Sequence, residues 1–235
     1  MNPCILEEIW FYPLKSARGI ACANALIQTR GIRYDREWML INPQGAFLTQ
    51  RTHPTMSQIV TQIDAQYLYF SAPGKTSISI KLSPSEGVPR PVTIWKDSCA
   101  ALQLGSNYSQ WFSDYLQSPC DLVFMPSTTY RQVDPDYGAA ESISFTDGFP
   151  ISLSSTASLL GLTTRLKAPI TLDRFRPNLV VSGCPPYAED SWNEIRIGTI
   201  RFKVVKPCTR CTVIATCQET ARHNMDPLYA LSKFR

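Results

Sequence analysis

Residues 200–211 read IRFKVVKPCTRC, an apolar run followed by a proline and by two cysteines separated by a threonine and an arginine. The run predicts a strand over residues 200–205, and strand ends are where a sheet usually presents chemistry. A thiolate is a soft metal ligand, and the planar guanidinium of Arg210 suits phosphate or carboxylate. The stretch therefore indicates a soft metal whose own ligand also carries a phosphate.

The residues alone leave several interpretations of Cys208 and Cys211 open. Inert burial is one, because free cysteine is among the most buried residue types. A thioredoxin-like pair needs a helix start, which the β-branched residues 212–214 disfavour. A structural zinc site usually needs two such pairs, whereas the other cysteines form no second pair and the chain has 2 histidines, His53 and His223, which we interpret as structural. A single metal thiolate beside an anion-binding arginine stays open.

Composition bounds the class of protein. The chain has 235 residues, of which 44% are hydrophobic and 18% charged, as in ordinary globular proteins of one large or two small domains. No apolar run approaches the roughly 20 residues that span a bilayer, and residues 1–8 do not resemble a secretory signal. The 8 cysteines follow no disulfide pattern, which favours a reducing compartment and a cytoplasmic location. The net charge of +4 is scattered, so neither nucleic acid nor membrane is expected as a partner.

The order of local patterns predicts a mainly β fold of the α+β class. Apolar and alternating runs predict strands over residues 5–11, 38–41, 59–63, 67–71, 77–82, 179–181, 194–197 and 200–205. The proline-rich stretch 83–91 predicts a loop. Apolar residues at helical spacing predict a helix over residues 108–116, capped by Ser106 or Asn107, and a second helix over 156–166, capped by Ser154 or Ser155.

Several of these segments together resemble one family. Residues 12–16 (YPLKS), 31–38 (GIRYDREW), 49–54 (TQRTHP), 175–181 (FRPNLVV), 188–192 (AEDSW) and 207–211 (PCTRC) agree with it in order and spacing. The chain resembles MOSC-domain proteins, and among them the bacterial YcbX-type proteins and the mitochondrial amidoxime reducing component. The resemblance implies a MOSC N-terminal β-barrel domain over residues 1–100, packed on a MOSC β-barrel with a few helices over residues 101–235.

The same resemblance implies a molybdenum–molybdopterin site. Its metal ligand and catalytic residue would be Cys211, with Cys208 a buried thiol or a neighbour of that ligand. The residues that would contact the pterin and its phosphate are Lys15, Ser16, Arg36, Arg176, Asn178, Thr209 and Arg210. Taken singly, Lys15 also suits a solvated position, Arg36 a pair with an acidic neighbour, and Asn178 a turn.

The activity implied is reduction of N-hydroxylated compounds to amines, with a separate flavin-type or iron–sulfur (ferredoxin-type) protein as the electron donor. A cofactor carrier or sulfur-transfer module is the alternative, and a thiol oxidoreductase is more remote. Pyridoxal phosphate is not expected, and the chain is expected to carry no iron–sulfur domain. Because similar proteins continue beyond the segment that resembles residues 225–235, the closing strands of the MOSC barrel are expected to be absent.

Overall fold

The computed structural model describes residues 4–137 and 142–235, and strands predominate over helices in it. Its strands are β1 (Ile5–Phe11), β2 (Ile20–Cys22), β3 (Ile27–Gln28), β4 (Gly31–Ile32), β5 (Trp38–Ile41), β6 (Val60–Ile63), β7 (Tyr67–Ala72), β8 (Lys75–Lys81), β9 (Val88–Ile94), β10 (Asp97–Gln103), β11 (Asp121–Phe124), β12 (Leu153–Ser155), β13 (Leu179–Ser182), β14 (Glu194–Ile197) and β15 (Ile200–Lys203). The mainly β prediction is confirmed.

Helices are short and few in the described parts of the chain. The α-helices are α1 (Ser106–Leu116), α2 (Thr156–Thr163) and α3 (Asp226–Leu231), and 3₁₀ turns lie at Pro54–Gln58, Leu172–Arg174, Ala188–Ser191 and Thr212–Ala215. Within residues 4–137 and 142–235, no helix has the length and apolarity needed to cross a membrane.

Two four-stranded sheets organise the strands, with smaller sheets beside them. The first has the order β12-β13-β1-β2 and the second the order β5-β11-β10-β9, while β6-β7-β8 form a three-stranded sheet. In the first sheet β1 is antiparallel to β13, with Ile9 opposite Leu179. The end of β1 therefore meets the beginning of β13, which brings residues near 12 and near 178 together.

The main core lies between α1 and strands from the second and third sheets. Trp111, Phe112 and Leu116 form the buried face of α1, as the helical spacing predicts, and Phe112 makes an edge contact with Phe70 at 5.2 Å between ring centroids. The predicted cap is wrong: the N-cap residue is Gly105, and no side chain caps this helix end.

The loop predicted over residues 83–91 is wrong in its last part. Residues from Val88 onward belong to β9, which includes Pro89 and Pro91. This strand lies at the edge of its sheet, where its ladder is with β10 and its other side has an isolated bridge from Thr93 to Ala46. Proline lacks the N–H group of a sheet ladder, and an edge strand tolerates it because one side needs no partner.

The second predicted helix and the last predicted strand are both shorter than the patterns suggest. α2 begins at Thr156 with Ser155 as its cap, as predicted, and its cap oxygen accepts a hydrogen bond from the Ser158 amide. β15 ends at Lys203, so the irregular residues 204–207 separate it from Cys208. A 3₁₀ turn with Cys211 at its N-cap begins at Thr212, although β-branched residues disfavour helix starts.

Candidate cofactor site

A group of cations lies where the end of β1 meets the beginning of β13. The carbonyl of Tyr12, directly after β1, accepts a hydrogen bond of 2.8 Å from the Arg36 amide. The Tyr12 hydroxyl donates to the Pro177 carbonyl at 3.0 Å, and the Lys15 amide donates to the Trp38 carbonyl at 2.9 Å. Segments far apart in the sequence are therefore fixed together at the ends of two neighbouring central strands, β1 and β13.

Arg36 joins the first of these segments to the last. Its Nη1 donates to Asp35 at 2.6 Å and to the side-chain oxygen of Asn178 at 3.1 Å, and its Nη2 donates to the Arg176 carbonyl at 3.1 Å. The pairing with an acidic neighbour is thus present, and the guanidinium also reaches two other predicted residues, Asn178 and Arg176. Arg36 has a φ of 50°, in the left-handed region that L-residues seldom adopt.

Arg176 is the cation with the fewest partners. Its Nη1 donates to the Ala17 carbonyl, while its buried Nη2 has no hydrogen-bond partner among residues 4–137 and 142–235. In the same parts of the chain no carboxylate lies within ion-pair distance of it. Burial, and then repulsion by Arg36, lower the pKa of Arg176 to about 10, so the group stays charged at neutral pH.

Both guanidinium groups lie on the ring of Tyr12. The guanidinium carbons of Arg36 and Arg176 lie 4.2 and 4.3 Å from the ring centroid, a distance at which the π-electrons attract a cation. Burial raises the pKa of Tyr12 to about 12, although both arginines lower it. The phenol ring therefore attracts both guanidinium groups while it stays uncharged, so it does not neutralise either of them.

Lys15 adds a third positive charge and is not solvated. Its Nζ donates to the Phe145 carbonyl at 2.7 Å and to Asp147 Oδ1 at 2.6 Å, and its side chain is 7% exposed. Burial lowers the pKa of Lys15 and Asp147 opposes that shift. The Asp147 side chain is 64% exposed. The surrounding protein displaces part of the water near this carboxyl group, which by itself would raise its pKa. The charge of Lys15 and hydrogen bonds from Lys15 and Trp95 outweigh that effect and lower the pKa.

Two other predicted site residues, Asn178 and Ser16, are buried beside the cations. Asn178 is buried, and its side-chain oxygen accepts from Arg36 and from the Ser152 amide, while its side-chain nitrogen donates to the Trp10 carbonyl. Ser16 is buried next to Lys15 with a φ of 70°. Asn178 thus orients its neighbours, and Ser16 adopts the left-handed backbone conformation directly after Lys15.

The cysteine segment, residues 204–211, approaches the cation cluster through a contact with Phe175. The Arg210 guanidinium carbon lies 5.0 Å from the ring centroid of Phe175, the residue before Arg176. Among the described residues, no hydrogen bond joins the side chain of Thr209 or Cys211 to the cations. Cys211 is partly buried and Cys208 is exposed. Of the two roles predicted for Cys208, burial is therefore wrong, and a position beside the metal ligand stays a prediction. Residues 204–211 lack regular structure, which leaves Cys208 uncovered.

Sequence reasoning missed several residues that complete the site. The hydroxyls of Ser144 and Thr146 are buried without partners in the described parts of the chain, on both sides of the Phe145 carbonyl that holds Lys15. Asp147 follows directly. No local pattern indicates these residues, because their role depends on their position beside Lys15, 130 positions away in the chain.

The site gathers cationic hydrogen-bond donors of the kind that bind anions. The three cations Lys15, Arg36 and Arg176 face the two carboxylates of Asp35 and Asp147, and no group of three or more histidine, cysteine or acidic side chains in the described ranges is arranged to hold a metal ion. Cationic forks and hydroxyl groups suit phosphate oxygens. The fold and this site define a mainly β protein with a cluster of three cations whose donors suit an anionic ligand.

Comparison with known proteins gives the family. Residues 4–119 match the family described as MOSC N-terminal beta barrel domain, and residues 140–235 match the MOSC domain. The chain is 31% identical to mitochondrial amidoxime-reducing component 1 of Mus musculus and 30% identical to that of Homo sapiens, covering 98% of this chain and 71% and 72% of those proteins. The chain belongs to the family of MOSC-domain proteins with a MOSC N-terminal β-barrel.

A second group of relatives is longer. The chain is 30% identical to molybdenum cofactor sulfurase of Oryza sativa subsp. japonica over 98% of its own length, but that match spans 31% of the relative. Relatives of two different names thus share nearly the whole length of this chain.

Proposed function

We propose that the protein binds a molybdenum cofactor through its pterin phosphate and reduces N-hydroxylated compounds to amines. The buried Nη2 of Arg176, which lacks a hydrogen-bond partner in the described structure, carries the proposal. A buried cationic donor without an acceptor is costly, and a bound anion would remove that cost. The names of the amidoxime-reducing relatives support the choice of reaction.

The residues present fit a ligand with a phosphate. Lys15, Arg36 and Arg176 would hold its oxygens through charge-assisted hydrogen bonds, with the hydroxyls of Ser16 and Thr209 as further donors. Asn178 would keep Arg36 in position, because its side-chain oxygen accepts from that guanidinium. Asn178 itself is engaged by the protein, so we assign it orientation of the site more than contact with the pterin.

The metal would be held by the cysteine segment. We propose Cys211 as the protein ligand, with Arg210 beside it at the ring of Phe175. When bound, such a cofactor supplies the two-electron reduction of a nitrogen–oxygen bond, which takes up two protons and yields an amine and water. The chain's own residues bind the anionic part of the cofactor and keep Tyr12 neutral beside it.

Electrons have to come from another protein in this proposal. A flavin-type or iron–sulfur protein would supply them, and an N-hydroxylated small molecule would be the substrate. The cysteine content favours a reducing compartment, and we propose the cytoplasm. The division of the chain into domains of residues 1–100 and 101–235 stays a proposal as well.

A carrier or sulfur-transfer module is the second candidate. The match to molybdenum cofactor sulfurases over nearly the whole chain favours it specifically, since the shared region is only part of those proteins. In that case the same cations would hold the cofactor without turnover.

One experiment separates these candidates. The protein is purified from a molybdenum-replete host, analysed for molybdenum and pterin, and supplied with benzamidoxime and a chemical electron donor. Bound molybdenum with donor-dependent formation of benzamidine supports the reductase, and bound molybdenum without turnover supports the carrier. A reversible Cys208–Cys211 disulfide in protein that takes up no molybdenum would overturn both and leave a thiol oxidoreductase.

A further inference from the structure

Trp95 is an exposed aromatic residue in a backbone conformation that disfavours it. It is the first residue of the two-residue loop between β9 and β10, where Ile94 pairs with Asp97. Its φ of 57° lies in the left-handed region that hairpin turns usually fill with glycine. The side chain is 51% exposed, so burial does not offset this conformation. Strained residues of this kind cluster at functional sites.

The indole of Trp95 is nevertheless fixed in one orientation. Its Nε1 donates to Asp147 Oδ1 at 3.1 Å, the Arg51 guanidinium carbon lies 4.2 Å from the ring, and the Phe47 ring centroid lies 5.3 Å away. A large side chain held by a hydrogen bond, a cation and a ring loses little further entropy when a ligand contacts it. Trp95, Phe47 and Arg51 thus form a rigid wall, which we name the Trp95 wall.

The Trp95 wall adjoins the cation cluster directly. The same oxygen of Asp147 accepts from Trp95 and from Lys15, and Lys15 also lies over the Phe47 ring at 5.3 Å. Because the Asp147 side chain is largely exposed, this contact lies at the protein surface beside Lys15. A substrate that approaches a cofactor held by Lys15 would pass along the wall.

We propose that the Trp95 wall is a stacking platform that makes the site selective for N-hydroxylated compounds with a flat aromatic ring over their aliphatic counterparts. This proposal rests on the proposed function, because it assigns the substrate class of the same site. An aromatic ring gains from stacking on an indole whatever its other substituents, whereas a methyl group in its place gains little.

The test compares two substrates that differ only in the ring. Binding of benzamidoxime and of acetamidoxime is measured by calorimetry without an electron donor, so that no turnover occurs. We expect Trp95→Ala to reduce the preference for benzamidoxime by about tenfold, within the range for stacking on one aromatic side chain. Trp95→Phe should restore most of it. Phenylalanine keeps the ring but lacks the hydrogen bond to Asp147, so the two variants separate stacking from that bond.

Tyr229 provides the matched control, as an exposed aromatic residue on α3. Tyr229→Ala should leave the preference unchanged. Equal weakening of both ligands by Trp95→Ala, or loss of molybdenum from that variant, would overturn the platform and assign Trp95 to folding or to the cofactor. Failure of the proposed function is distinguishable: it appears as absence of molybdenum or of turnover in the unsubstituted protein, and binding without a donor is measured separately.

Discussion

Replacing Arg176 by methionine is expected to weaken cofactor binding without weakening the cofactor-free fold. Methionine keeps much of the side-chain length and removes the charge. The variant loses a hydrogen bond from a charged donor to the Ala17 carbonyl, worth about 1.5–3 kcal/mol, and the contact with the Tyr12 ring, but it also removes the opposing cost of a buried cation without a carboxylate partner among the described residues. Since these effects oppose each other, the free energy of unfolding of the cofactor-free protein should change by about 1 kcal/mol or less.

Arg176 should contribute more to the affinity for the cofactor than to the stability of the cofactor-free protein. Its partnerless Nη2 can give a bound phosphate at least one charge-assisted hydrogen bond, worth about 1.5–3 kcal/mol. Each 1.4 kcal/mol is about tenfold in affinity, so the variant should bind roughly 10- to 150-fold more weakly. Molybdenum content after dialysis measures the loss, and urea unfolding of cofactor-free protein measures stability.

Arg165→Met is the matched control, because that guanidinium lies over Phe234 and away from the cation cluster. It should change neither quantity beyond a few tenths of a kcal/mol. The reasoning would be refuted if Arg176→Met retained its molybdenum while its cofactor-free form lost 2 kcal/mol or more of stability. Arg176 would then be a structural arginine.

Three further predictions concern the metal ligand and the titrating groups. Cys211→Ala should remove the protein sulfur from the molybdenum X-ray absorption spectrum and Cys208→Ala should keep it; the reverse result would exchange the two assignments. Since burial raises the pKa of Tyr12 to about 12, a phenolate signal that Tyr12→Phe abolishes should appear near pH 12, and its appearance near pH 10 would show an accessible ring. Burial would raise the pKa of Asp147, but Lys15 lowers it below the unfolded-state value of 3.8. The Asp147 carboxylate therefore stabilises the folded protein above pH 3.8, and this stabilisation is lost as pH falls through the folded-state pKa. Asp147→Asn should therefore reduce the acid sensitivity of unfolding, and an unchanged pH profile would contradict the pairing.

The sequence predicted those elements that depend on near neighbours. α1 follows from apolar residues three and four positions apart, and β14 from a short run with Gly198 after it. The Ser155 cap was predictable because a cap acts within one turn of its helix. The patterns failed where neighbours in space decide: the prolines of β9 are tolerated only because that strand lies at a sheet edge.

The same distinction applies to the site. The motifs of the sequence named Lys15, Arg36 and Arg176, and by resemblance gave them a common ligand. Only the tertiary structure decided that Arg36 spans 140 positions to the Arg176 carbonyl, and that Nη2 of Arg176 finds no partner within residues 4–137 and 142–235. The Trp95 wall could likewise not be predicted from the sequence, because the hairpin loop that carries Trp95 meets Asp147, 52 positions later, only after folding. Local sequence determines which residues can form an element, whereas unpaired charge and shared contacts arise from packing between segments that carry no local signal of one another.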